Sequence, residues 1–147
     1  MDIQLSVDID RPIEEVFEAT GQDLCEWSVT CVEEELIEET PEGVGTTFRL
    51  VTEDRGRRME FQGVVTRHEP PTVSEVHLVG PAFDLDVLYT FEDLGGRTRV
   101  TQESRIRGKG LWRPMVFLMT VFMRKSSCDA QQNELEALKA HCEGRAR

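Results

Sequence analysis

Positive charge is scarce in this chain of 147 residues, which has 17 Lys and Arg against 28 Asp and Glu and a formal net charge of −11. An acidic excess of this kind repels phosphate backbones, whereas binding them requires cations that release their counterions. Histidine is also scarce, and His68, His77 and His141 lack the spacing of metal ligands. We therefore expect no nucleic-acid partner, no metal site and no cofactor.

Long apolar runs are missing as well. The most apolar segment, Leu111 to Met123, is interrupted by Arg113 and Pro114, and it is shorter than the roughly 20 residues that a helix needs to cross a bilayer. The first ten residues alternate apolar and polar side chains, and so lack the basic flank and apolar run of a signal peptide. These features predict a cytoplasmic protein without a transmembrane segment.

The four cysteines, Cys25, Cys31, Cys128 and Cys142, form no Cys-x-x-Cys pair and lie near no histidine doublet. They therefore indicate neither a structural zinc site nor a redox motif. We expect all four to be buried free thiols in a reducing cytosol.

Apolar side chains are sufficient for one core, since 39% of the residues are hydrophobic and seven Phe, two Trp and one Tyr are among them. A chain of this length removes roughly 70% of its unfolded surface from water when it folds. Because no internal repeat or linker divides the sequence, we predict one domain over residues 1–147.

Periodicity and turn signals predict the elements. Residues 3–9 alternate as a strand does, and Asp10 and Pro12 then predict the start of a short helix, which Gly21 ends. A second short helix is predicted over 23–27. Short connections between the strands that follow predict an antiparallel meander, because parallel neighbours need crossover helices. We place these six strands near 29–38, 46–53, 57–68, 73–79, 83–92 and 98–107.

The pattern after Gly110 is helical to the end of the chain. One stripe recurs at alternating spacings of four and three residues and should face the sheet; it consists of Phe117, Val121, Arg124, Cys128, Gln131, Leu135, Leu138 and Cys142. Residues 111–123 are apolar nearly all round, so a second face of this segment needs a cover. The predicted fold class is α+β, with a curved seven-stranded antiparallel sheet wrapped around a long C-terminal helix and two short helices after the first strand.

Several segments carry a family resemblance. Residues 7–17 read VDIDRPIEEVF, an alternating strand that runs into a Pro-x-Glu-x-Val-aromatic helix, and further matches lie at 42–46, 65–71, 89–92 and 95–101. In this order they resemble the START/SRPBCC superfamily, also called helix-grip or birch-pollen-allergen-like, and within it the polyketide cyclase/dehydrase-like branch. The resemblance implies a helix-grip fold with a hydrophobic cavity between sheet and helix, but it does not imply a reaction.

Alternation along the strands predicts which side chains line that cavity. A solid core is the alternative, and we expect roughly half of the lining residues to touch no ligand. The predicted apolar lining consists of Phe48, Met59, Phe61, Val87, Tyr89 and Phe91 from the sheet and Phe117, Val121 and Cys128 from the helix.

Four polar side chains could orient a ligand in this cavity. Gln102, Ser104 and Tyr89 could supply neutral hydrogen bonds. Arg124 interrupts the stripe and could anchor a carboxylate, phenolate or phosphate, or it could extend to the rim or pair with an acid. A general base made of His77 and Glu75 would need both side chains to point inward against the alternation, and all three histidines are predicted to be exposed.

These observations favour a protein that binds a small hydrophobic or amphipathic molecule between the sheet and the C-terminal helix. One alternative is a polyketide cyclase or dehydratase-like enzyme that uses polar pocket residues without metal. No Ser-His-Asp or Cys-His arrangement supports nucleophilic catalysis. The other alternative is an interaction module in which residues 111–123 form a homodimer or contact a membrane surface.

Overall fold

A computed structural model describes residues 2–22, 24–54, 56–81, 83–108, 114 and 124–144 of the chain. Seven strands and three helices occur in this part. In chain order they are β1 (Asp2–Ile9), α1 (Ile13–Gln22), α2 (Leu24–Trp27), β2 (Cys31–Glu38), β3 (Thr47–Asp54), β4 (Arg57–Glu69), β5 (Val73–Val79), β6 (Phe83–Asp93), β7 (Thr98–Gly108) and α3 (Arg124–Gly144). The predicted strands after α2 are confirmed to within two residues at each end.

The strands form one antiparallel sheet in the order β1-β7-β6-β5-β4-β3-β2. Strands β2 to β7 follow one another as hairpins, which confirms the predicted meander. Strand β1 joins the far edge by pairing with β7, so that Ser6 lies opposite Thr101 and their hydroxyl oxygens are 2.9 Å apart. Gly95 and Gly96 form the β6–β7 turn with φ values of 87° and 85°, a left-handed conformation that favours glycine.

A first apolar cluster fills the space between α3, the two short helices and strands β1, β6 and β7. The α3 residues Leu135 and Leu138 are fully buried there and Cys142 is 3% exposed, which confirms that this part of the predicted stripe faces the sheet. The cluster also contains Val7, Ile9, Ile13, Val16, Ala19, Trp27, Phe91 and Val100. Burial of these side chains, which come from the sheet, the two short helices and α3, is the main stabilisation of α3 against the sheet.

Polar contacts position α3 at two places. Near its end, Lys139 Nζ donates to the Asp8 carbonyl oxygen at 2.9 Å, and Glu143 accepts a hydrogen bond from the Asp10 amide at 3.0 Å. Earlier in the helix, the Glu134 carboxylate accepts from the Ser28 hydroxyl at 2.6 Å and from the backbone amides of Val29 and Thr30 at 3.0 and 3.1 Å. The helix is therefore tied to the β1–α1 junction and to the α2–β2 turn.

The expectation of four free thiols is wrong for Cys25 and Cys31, which form a disulfide. Helix α2 and strand β2 are joined by a turn of three residues, and this turn brings the two Cα atoms to 5.0 Å, a separation that a disulfide can span. The other two cysteines carry thiols; Cys128 is half-buried and Cys142 is buried.

Two of the three histidines are also less exposed than predicted. His77 is half-buried on the outer face of the sheet, where its Nδ1 lies 2.6 Å from Asp86 Oδ1 on the neighbouring strand. The side chain of His141 is 19% exposed and its Nε2 lies 3.9 Å from a Glu26 oxygen. His68 is exposed, as predicted.

No helix in the described ranges is long and apolar enough to cross a membrane. The segment 111–123, for which we predicted a dimer or membrane contact, lies outside the described residues apart from Pro114.

Candidate ligand-binding site

A second apolar cluster covers the inner face of strands β3 to β6. Phe48, Leu50, Phe61, Leu78 and Val87 form its centre, and each is less than a tenth exposed. Strand register brings them together, because Leu50 lies opposite Phe61 on β4 and Val87 lies opposite Val76 on β5. Partly buried side chains surround this centre, namely Leu24, Cys31, Met59, Val65, Val76, Phe83, Leu85 and Tyr89.

Two glycines allow the phenylalanine rings of this cluster to lie against the sheet. Gly63 is opposite Phe48, and a Cβ atom at Gly63 would overlap the Phe48 ring. A Cβ atom at Gly80 would lie 2.7 Å from Phe61 Cε1 and 2.8 Å from the Phe83 carbonyl oxygen. The absence of both side chains therefore gives the inner face of β3–β6 an aromatic surface.

A polar pair lies where the two clusters meet. Tyr89 packs against both clusters, and its hydroxyl oxygen accepts a hydrogen bond from Gln102 Nε2 at 2.7 Å. Gln102 is 8% exposed, and Gln131 Nε2 of α3 donates to the backbone carbonyl oxygen of Gln102 at 3.2 Å. The side-chain oxygen of Gln102 is buried and has no hydrogen-bond partner among the described residues. Buried amide oxygens are nearly always paired, so this atom identifies a place where a ligand could bind.

Burial raises the pKa of the Tyr89 hydroxyl well above its ordinary value, and the negative charge of Glu134 adds to this effect. The hydrogen bond from Gln102 acts in the opposite direction but is the smallest of the three influences. Because the ordinary tyrosine pKa is about 10, the phenol of Tyr89 is neutral at physiological pH and can both donate and accept a hydrogen bond.

The structure brings together most of the predicted sheet residues and separates one of them. Phe48, Met59, Phe61 and Val87 lie in the second cluster, and Tyr89 lies at its border. Phe91 instead belongs to the first cluster, where its ring centroid is 5.1 Å from that of Phe17.

The remaining predicted site residues lie on β7 and along the C-terminal helix. Gln102 and Ser104 are buried on β7, and Cys128 is half-buried on α3. Arg124 begins α3, but its side chain lies outside what the structure describes, as do Phe117 and Val121. The described part of α3 packs mainly on β1, α1 and α2.

Sequence reasoning missed Leu24 and Glu134. Leu24 packs against both clusters, and its place in a four-residue helix gives no periodicity from which to infer a face. Glu134 lies in the polar half of the helix pattern, and its partners are 104 to 106 residues away in the chain. No local signal could have identified that contact.

Two shallow recesses open elsewhere on the described surface. One of about 230 Å³ is lined by Arg11, Glu15, Glu18, Ala19 and Cys142, and one of about 310 Å³ is lined by Asp2, Ile3, Gln4, Glu103, Ser104 and Arg105. Both have mostly polar linings, and neither includes a residue of the second cluster. We base the candidate site on the second cluster, because its apolar area and its buried unpaired acceptor are the features of a small-molecule site.

The sheet order, the two short helices after β1 and the C-terminal helix packed on β1, α1 and α2 define a helix-grip fold. A family model described as "Polyketide cyclase / dehydrase and lipid transport" matches residues 1–143. The chain therefore belongs to this family of the START/SRPBCC superfamily, which confirms the resemblance.

Three solved structures illustrate the similarity. TTHA0849 from Thermus thermophilus superposes with a TM-score of 0.82 at 15% identity, covering 100% of both chains. A START superfamily protein from Mycobacterium smegmatis gives 0.80 at 16% identity over 97% of each chain. The Zhui aromatase/cyclase from Streptomyces sp. R1128 gives 0.76 at 17% identity, covering 100% of this chain and 96% of that one. These identities show the fold alone, and no curated protein sequence matches the chain significantly.

Proposed function

We propose that this protein binds a small, mostly apolar molecule against the second cluster, with Tyr89 and Gln102 contacting its polar end. The observation that carries the proposal is the aromatic inner face of β3–β6 with a buried, unpaired amide oxygen at its border. Removing ~300 Å² of apolar ligand surface from water would contribute roughly 7 kcal/mol before the cost of association. The family description, which includes lipid transport, supports the same function.

Binding of a fluorescent probe tests this proposal. N-phenyl-1-naphthylamine, which brightens in apolar surroundings, should bind the wild-type protein with saturable enhancement. Met59→Trp should weaken that binding, because the larger side chain occupies space at the edge of the second cluster. Val79→Trp is the matched control, since Val79 is 39% exposed and lies outside the second cluster.

The proposal fails if the folded wild-type protein gives no saturable enhancement, or if both tryptophan variants bind the probe as the wild type does. Native mass spectrometry of the purified protein gives an independent result, because a ligand that copurifies would be seen directly as added mass. Circular dichroism of each variant establishes that it is folded before its binding is compared.

A second candidate function is cyclisation or dehydration of a polyketone. The burial of Gln102 and Ser104 on β7, with the Gln102 amide bonded to the Tyr89 hydroxyl, favours it, since polarising a carbonyl requires hydrogen-bond donors inside the site. Incubation with a linear poly-β-ketone thioester, followed by mass spectrometry, should then show loss of water that Tyr89→Phe slows. If the protein binds that substrate but water is lost no faster than in buffer, only the binding function remains.

A further inference from the structure

We infer that the polar end of the ligand is a neutral hydroxyl group, as in an alcohol, a phenol or an enol. This inference rests on the proposed function and adds the chemical class of the ligand. It depends on the hydrogen-bonding capacity that Tyr89 and Gln102 leave unused.

The Tyr89 hydroxyl and the Gln102 side-chain oxygen offer one donor and one acceptor side by side, and the Gln102 amide has a second N–H besides the one that bonds Tyr89. Tyr89 accepts the hydrogen bond from Gln102 Nε2 at 2.7 Å, and within the described ranges its own hydroxyl proton has no acceptor. The Gln102 side-chain oxygen has no donor there either. A hydroxyl is the smallest group that can accept from Tyr89 and donate to Gln102 at the same time.

Other polar groups leave the Gln102 oxygen without a donor. A ketone can accept from Tyr89 and from the second Gln102 N–H, but it has no proton for the Gln102 oxygen, and a carboxylate has the same deficiency together with a negative charge. Leaving a buried amide oxygen unpaired is unfavourable by enough to weaken binding about tenfold. A hydrocarbon satisfies neither group.

Electrostatics near the pair also disfavours an anion. Glu134 acts on Tyr89 through its negative charge, and its carboxylate is held in place by the Ser28 hydroxyl and two backbone amides. The chain as a whole carries a formal charge of −11. An anionic ligand would therefore meet repulsion at this end of the site unless a cation such as Arg124 approached it.

Four naphthalene derivatives that differ in one substituent test the inference at neutral pH. These are 2-naphthol, 2-methylnaphthalene, 2-acetylnaphthalene and 2-naphthoate, each titrated against bound N-phenyl-1-naphthylamine. We expect 2-naphthol to bind about tenfold more tightly than 2-methylnaphthalene, 2-acetylnaphthalene to bind between these two because it still accepts from Tyr89, and 2-naphthoate to bind no better than 2-methylnaphthalene.

Two variants assign the preference to the polar pair. Tyr89→Phe and Gln102→Met each remove one of the two groups, so the advantage of 2-naphthol should fall to within about twofold while 2-methylnaphthalene still binds. Thr101→Val is the matched control, because Thr101 is next to Gln102 on β7 but bonds Ser6 on the outer face. Its preference should equal that of the wild type.

The possible failures are distinguishable. If 2-methylnaphthalene binds but 2-naphthol has no advantage, the inference is overturned and the binding function stands. Tightest binding of 2-acetylnaphthalene would overturn it by showing that the Gln102 amide presents N–H instead of oxygen, and tightest binding of 2-naphthoate would overturn it in favour of a cationic anchor. If none of the four compounds displaces the probe from the wild type, the proposed function fails as well.

Discussion

Tyr89 is the only tyrosine in the chain, so its ionisation can be followed by phenolate absorbance without overlap from other tyrosines. Burial and the charge of Glu134 raise its pKa, whereas an unfolded tyrosine titrates near pH 10. We expect no phenolate signal from the folded protein as the pH passes through about 10. In concentrated urea the Tyr89 phenol should titrate with a midpoint at about pH 10.

The raised pKa also predicts how stability changes with pH. Below about pH 10 the phenol is protonated in both states, so it contributes no pH dependence. Above that pH the unfolded chain loses this proton while the native protein retains it, and the free energy of unfolding falls by at most about 1.4 kcal/mol per pH unit. Urea denaturation at successive pH values should show this decline in the wild type, and Tyr89→Phe should lack the same component.

One result would refute this reasoning. If phenolate appears near the ordinary tyrosine pKa while far-ultraviolet circular dichroism still reports the native fold, then the Tyr89 hydroxyl is accessible to water. The polar pair would in that case not be buried, and the candidate site would lose its unpaired acceptor.

Three further predictions concern the free energy of unfolding, measured by urea denaturation. Leu138→Ala should lower it by about 2–5 kcal/mol, because the Leu138 side chain is fully buried in the first cluster; a loss below about 1 kcal/mol would mean that α3 is not packed there. Gly80→Ala should lower it by about 1–3 kcal/mol, because the added Cβ atom clashes with Phe61 and the Phe83 carbonyl. Gly21→Ala is the control: a Cβ atom at Gly21 has no neighbouring atom within 4 Å, so this change should raise the free energy of unfolding by about 0.5–1 kcal/mol. Glu134→Ala should cost about 1–3 kcal/mol because two backbone amides lose their acceptor, and an unchanged stability would contradict the contact.

The elements of this fold could be predicted from the sequence because their signals are local. Alternation over residues 3–9 predicts β1, and Asp10 and Pro12 predict the start of α1. The recurrence of Leu135, Leu138 and Cys142 predicts the buried face of α3. Each of these patterns spans no more than a few turns of helix or one strand.

The contacts that position the site are less local and were partly missed. Alternation correctly placed Phe91 on the inner face, but it could not show that Phe17 of α1 covers this ring and thereby assigns it to the first cluster. The pairing of His77 with Asp86 depends on the β5–β6 register. The Cys25–Cys31 disulfide depends on the path of the turn that joins α2 to β2.

The pairing of β1 with β7 has a consequence for how this protein is made. Ser6 and Thr101 are 95 residues apart, so a ribosome completes the first strand long before it synthesises the second. During that interval Ile3, Val7 and Ile9, which are buried in the finished sheet, have no strand to pair with. Native contacts of such long range form slowly, and we expect that the sheet closes only after β7 has left the ribosomal exit tunnel.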